Sequence, residues 1–208
     1  WSSDVCSSDL TPARREQILT LGVIIALFGV LLWPERGYVP IWDGHVYANC
    51  VVDAATRNGF DLNALRCAGH PSYGWAAILA LSQLAAPGDA GMMLLMNAIL
   101  GLIAVGAFRA TAARIFPGEE HQRALNLLTV ACALHPVLLS TLVQVNVDFG
   151  VYVFFFAMYA ALLHDRYDWA AVAGTFLAFS KETGAFAAAA LVAVEVLRRL
   201  TAPELRAL

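Results

Sequence analysis

The sequence predicts an all-α polytopic membrane protein: about six membrane segments in a bundle, with a long, partly helical first loop on the extracytoplasmic side. Three observations predict it. Hydrophobic residues make up 60% of the chain and charged residues 14%, against roughly 45–50% and about 25% in soluble domains. The apolar residues gather into uncharged runs of the kind that lipid solvates. Arginines collect at alternate ends of those runs, as the positive charge of cytoplasmic loops requires. No basic stretch with interleaved aromatics points to a nucleic-acid partner; the expected surroundings are membrane lipid.

Residues 1–10, Trp-Ser-Ser-Asp-Val-Cys-Ser-Ser-Asp-Leu, are the translation of a DNA stretch that resembles a widely used sequencing adapter. They are set aside as an adapter-derived artefact. Without Asp4 and Asp9 the formal net charge of −3 becomes −1, too small to suggest a charged partner. The chain is expected to be the N-terminal part of a longer protein, with residues missing before Thr11 and after Leu208.

The first span is expected at about 17–33, an uncharged run of about 26 Å as a helix. Arg14 and Arg15 precede it, and Trp33 and Pro34 close it. Those arginines place the N-terminus in the cytoplasm. Residues 34–90 then form the outer loop. Within it the apolar spacing of Val46, Tyr47, Cys50, Val51 and Ala54 predicts a helix. The apolar stretch 73–86 is short, and the rule of charge puts it at the outer interface. If it crossed, the arginines after the span at 91–108 (Arg109, Arg114 and Arg123) would face outward.

The run 124–143 returns outward with a kink at His135-Pro136. The run 149–163 comes back to the charged turn His164–Asp168. Residues 169–180 and 184–197 are each too short for a full crossing and read as a hairpin. Its tip, Lys181-Glu182, is recessed toward the outer side, where charge is tolerated only beside protein or water.

This topology gathers three charged features on the outer side: Asp43, Asp148 and Lys181-Glu182. Carboxylates there suit a general base or a divalent cation, and a lysine suits a phosphate. Each has a plainer reading. Asp43 before Gly44 is a turn signal, Asp148 a solvated span end, and Lys181 with Glu182 an ion pair at the tip. His45 either joins Asp43 on a metal or is solvated, and His70 before Pro71 reads as a helix entry. Cys50 and Cys67 either form a disulfide in an oxidising compartment or remain two free thiols. Cys132 reads as a small buried hydrophobe.

The order of motifs adds to this. A first span is followed by Trp-Asp-Gly-His-Val-Tyr and then His-Pro-Ser-Tyr with a short apolar helix. An arginine-ended span, a span with His-Pro, a span opened by Asn-Val-Asp, and Gly-Thr-Phe-Leu-Ala-Phe-Ser-Lys-Glu-Thr-Gly complete the series. Over residues 11–200 this resembles the N-terminal half of the family 39 glycosyltransferases, the group of protein O-mannosyltransferases, aminoarabinose transferases and Rgt-type lipopolysaccharide transferases. The resemblance implies the GT-C membrane fold in a bacterial inner membrane. It implies a polyprenyl-phosphate sugar donor and a lipid, glycan or protein acceptor at the extracytoplasmic face. Asp43 then maps onto the catalytic aspartate, a base for the acceptor hydroxyl as the sugar inverts. Asp148 maps onto a second carboxylate for acceptor or metal, and Lys181 onto a partner for the donor phosphate. Many members have Asp-Glu where this chain has Asp43-Gly44, so the paired carboxylate is missing here. The distal half of such enzymes lies beyond this chain, and the fragment alone is expected to be inactive. Two alternatives come from other classes: a transporter or flippase-like protein, which calls for paired broken spans in related halves, and a non-catalytic membrane subunit.

Overall fold

The computed structural model describes residues 12–37, 43–56, 62–67 and 69–201. The stretch 1–10, and Trp42, Arg57 and Asp61 of the outer loop, lie outside them. The described residues form nine α-helices: α1 Pro12–Leu32, α2 Asp43–Thr56, α3 Tyr73–Ala85, α4 Ala90–Ile115, α5 Gln122–Ala133, α6 Pro136–Val143, α7 Val147–Leu163, α8 Tyr167–Ala178 and α9 Glu182–Thr201. The only strands among them are β1 Arg66–Cys67 and β2 His70–Pro71, a two-rung antiparallel ladder. The all-α expectation holds.

Helix boundaries follow local chemistry. The Asp89 side chain accepts from the Gly91 N–H at 2.8 Å and starts α4. Asn146 accepts from the Asp148 N–H at 2.9 Å and starts α7. Such caps satisfy amides that have no partner within the helix. The kink expected at His135-Pro136 is present: α5 and α6 meet there at a 43° bend. Pro136 opens α6 without needing an N–H, and His135 Nδ1 accepts from the Val137 N–H at 3.3 Å.

Among the described residues two helices, α1 from Arg14 and α4, are long and apolar enough to cross a membrane, and the bent pair makes a third if it is one span. The chain therefore has the helices of a membrane protein. Helix α4 runs unbroken through Arg109 and Arg114 rather than ending before them. Along α1, Leu19 is 60% exposed and Val30 71%. A helix this apolar with this little protein cover needs lipid as its solvent.

Helices α4, α7 and α8 form the centre, with α3 wedged against them. Helix α3 is buried along one side: Trp75, Ala76, Leu79 and Ala80 are fully covered, while Leu81 and Leu84 face out. Glycine permits two close approaches. A Cβ on Gly150 of α7 would lie 2.4 Å from the Trp75 Cβ, and one on Gly74 would lie 2.3 Å from the Phe176 carbonyl oxygen. The Gly74 N–H donates to Phe179 O at 2.8 Å. Helix α3 is thereby fixed both to α7 and to the end of α8. Behind it the Trp75 indole N–H donates to Asn97 Oδ1 at 3.2 Å, and Asn97 Nδ2 donates to Leu142 O at 3.1 Å. This chain of bonds ties α3, α4 and α6 together and satisfies buried polar groups.

Candidate functional site

The site is assembled from helix ends. Asp43 is the first residue of α2, and Tyr47 lies one turn further along it. Asp148 lies in the first turn of α7 and Glu182 opens α9. All three carboxylates therefore sit at positive helix ends. Lys181 precedes α9 at the tip of the α8–α9 hairpin.

Contacts join these ends. Lys181 Nζ donates to Asp148 Oδ1 at 2.6 Å. The lysine side chain is 23% exposed and the aspartate 55%, so the pair is open to solvent on one side. The hydrogen bond to Asp148 raises the Lys181 pKa above its ordinary value despite partial burial. His70 Nδ1 lies 3.1 Å from Glu182 Oε2. The backbone N–H of Glu182 itself, and then the His70 ring, hold that carboxyl below its usual range. Lys181 and Glu182 therefore do not satisfy one another at the tip; each reaches a different element.

Tyr47 is the hub. Its ring is buried, edge-on to Trp75 at 6.3 Å between centroids. Burial raises the phenol pKa; the charge of Lys181 opposes this, and those of Asp43, Asp148 and Glu182 reinforce it. Asp43 is exposed, and no hydrogen bond or ion pair joins it to another described residue.

The remaining candidates fall as follows. Cys50 and Cys67 form a disulfide, with Cα atoms 5.5 Å apart, which staples α2 to β1. His70 is no helix entry: it lies in β2 opposite Cys67, and Ser72 holds the position before α3. The Gly69 turn at φ 82° brings the chain back so that the ladder can form. His45 is exposed on α2, with Nε2 2.9 Å from Asn49 Nδ2, and does not join the cluster. Among the described residues no three His, Cys, Asp or Glu side chains gather as a metal site. Asp148 is already balanced by Lys181, so a cation on Asp43 and Asp148 would have to displace the ammonium.

Sequence reasoning passed over Tyr47 as an apolar position in the α2 pattern. Its spacing of four from Asp43, which puts both on one side of a helix, was the available signal. It also left unconnected the charges at the opposite end of the same helices. There Glu195 accepts from Arg198 Nε at 2.7 Å and from Arg199 Nε at 2.9 Å. The Tyr167 hydroxyl donates to Asp165 at 2.5 Å and lies 3.0 Å from Glu195. The Arg199 guanidinium stacks 4.4 Å above the Tyr167 ring.

No family model, no curated protein and no solved structure matches this chain. What the site does is therefore argued from its own chemistry.

Proposed function

We propose that the chain belongs to a membrane glycosyltransferase of the GT-C type. It moves a sugar from a polyprenyl-phosphate donor to a lipid, glycan or protein acceptor at the extracytoplasmic face, with inversion. The observation that carries this reading is the Lys181–Asp148 pair at the tip of the α8–α9 hairpin, open to solvent on one side, with Glu182 tied to His70 beside it.

The groups suit such a reaction. Asp43, unpaired and exposed, accepts the proton of the acceptor hydroxyl. The hydroxyl oxygen then attacks the anomeric carbon. The bond from that carbon to the phosphate oxygen breaks, and the electron pair leaves with the polyprenyl phosphate. Lys181 has three N–H donors and spends one on Asp148, so two remain for the charge that grows on the departing phosphate. Asp148 keeps that lysine charged and aimed.

Sidedness follows from two supports. In a bacterium a disulfide such as Cys50–Cys67 persists outside the cytoplasm. The Lys181–Asp148 and Arg198–Asp165 pairs lie at opposite ends of α7, α8 and α9, so these helices alternate in direction. With α1, α4 and the bent pair they supply the six segments of the proposed bundle. The N-terminus is then cytoplasmic and the active site faces away from the cytosol of a bacterial inner membrane.

Asp43→Asn in the full-length protein should abolish sugar transfer and leave membrane insertion intact. Normal transfer by this variant would remove the catalytic assignment. Cysteine labelling from outside should reach positions 43 and 181 alike, and labelling from opposite faces would dissolve the site.

A further inference from the structure

We propose that His70 and the Cys50–Cys67 disulfide form a redox-sensitive latch that positions the hairpin tip bearing Lys181. The inference deepens the reading above and rests on it only for the role given to that lysine.

The segment from His70 to Gly74 grips the tip at two points. The Gly74 N–H donates to Phe179 O at 2.8 Å, and His70 Nδ1 meets the Glu182 carboxylate at 3.1 Å. Ser180 and Lys181 lie between those points. An ionised carboxylate only accepts, so His70 Nδ1 carries the proton. The Tyr73 ring adds an edge contact to Phe179, 6.4 Å between centroids, and Arg66 Nε donates to the Tyr73 hydroxyl at 3.2 Å. One short piece of the outer loop thus sets where the tip stands.

The disulfide anchors that piece. His70 pairs with Cys67 across a ladder of two rungs, and a two-stranded ladder is marginal by itself. The bridge to Cys50 fixes Cys67 to α2, whose Tyr47 and Val51 are buried in the core. Cutting the bridge frees the rung that aims His70. Cys50 is half-buried and Cys67 buried, so a dithiol reductant attacks at the Cys50 sulfur. The S–S bond breaks, and the Cys67 sulfur leaves with the electron pair and takes a proton. The second thiol of the reductant then displaces Cys50 as a thiol. The dithiol ends as a cyclic disulfide, and the protein gains two electrons and two protons. Oxidation of the two thiols outside the cytoplasm runs the other way and closes the latch.

The test is hydrogen exchange in the folded full-length protein in lipid nanodiscs, with and without dithiothreitol. The Gly184 and Ala185 N–H groups donate to Lys181 O at 2.9 and 3.3 Å, so their protection reports whether the tip is in place. Reduction should speed their exchange by about fivefold, the upper range for an exposed charge pair. The Arg166 N–H, bonded to Ala161 O at the opposite end, should not respond. His70→Ala should give the same rise in the oxidised protein, and reduction should add little to it. His70→Asn, which keeps an N–H donor near the place of Nδ1, should restore protection. Unchanged exchange at Gly184 and Ala185 on reduction would overturn the proposal, as would an equal rise at Arg166, which is what general loosening produces. Additive effects of His70→Ala and reduction would overturn it too, since a latch has one path. The readout needs no sugar transfer. A latch that responds in a protein without transferase activity would remove the role given to Lys181 and leave the latch standing, so the two failures are distinguishable.

Discussion

The two ends of the α7–α8–α9 unit carry similar residues in opposite conditions. At the end bearing His164 and Arg198, two acids, two arginines and a tyrosine close into one network. Its central carboxylate, Glu195, is 9% exposed and is bonded by Arg198, Arg199 and Tyr167. At the end bearing Lys181, the same kinds of group form two separate pairs, and no hydrogen bond or ion pair joins Asp43 or the Tyr47 hydroxyl to another described residue. A network whose members bond one another ties the helices that carry them together. Groups held rigidly but left unsatisfied are poised for something that comes and goes. The difference is what marks the open end as the candidate site.

Substitutions that respect charge and size should separate the two. The largest effect belongs to the open end. Lys181→Met should lower kcat for sugar transfer by about 100-fold, the scale of losing one electrostatic stabiliser of a growing negative charge. Its effect on melting should be small, because an exposed pair contributes about 0–1 kcal/mol. A variant with full turnover and a collapsed melting temperature would reverse the roles assigned to the two ends. At the closed end Glu195→Gln should do the opposite. Removing a carboxylate whose side chain is 11% exposed and bonded by two arginines costs about 1–3 kcal/mol, read as a drop in the melting temperature of the detergent-solubilised protein. The fraction that stays folded should retain its kcat.

Between the ends, Gly150→Ala tests the wedge on which the open end rests. The new Cβ would meet the Trp75 Cβ at 2.4 Å, and such overpacking costs about 1–3 kcal/mol. Helix α3 should shift, and the Trp75 fluorescence should move with it. A melting curve like that of the wild type would show that α3 is less tightly held than its burial implies.

How much of this was legible in the sequence depends on range. The α2 helix, the kink at His135-Pro136 and the break before Glu182 are local, set by apolar spacing, a proline and a charged pair. That Asp148 and Lys181 share one end of the bundle was reachable from topology, since span order dictates which helix ends meet. The partners were not. Lys181 and Asp148 lie 33 residues apart, and His70 and Glu182 lie 112 apart. No local pattern records that Lys181 and Glu182, adjacent in sequence, turn to different elements. Tyr47 was hidden for a different reason. An amphipathic helix makes the same demand of a core ring as of a ring whose hydroxyl faces a site, and the distinction appears only when its bonding partners are counted. The β1–β2 ladder was missed because two rungs leave no alternation to read.

The smallest effect sharpens the comparison by pH. The carboxyl of Glu182 is held below its ordinary value, near 4.5, by its own backbone N–H and by His70. A group whose pKa is lowered on folding adds stability above the unfolded value, and that stability is lost as pH falls through the folded one. The His70–Glu182 tie between β2 and the hairpin tip should therefore hold at neutral pH and fade only below about 4.5. Lys181 has the opposite sign. Its pKa is raised above the ordinary 10.5, so the lysine stays charged throughout the neutral and acidic range. Glu182→Gln should consequently flatten the fall of melting temperature between pH 5 and 3 while leaving the neutral value nearly unchanged. If the wild-type and variant profiles run parallel through that window, the tie contributes nothing to the fold. The open end would then be held by Lys181–Asp148 and the α3 wedge alone.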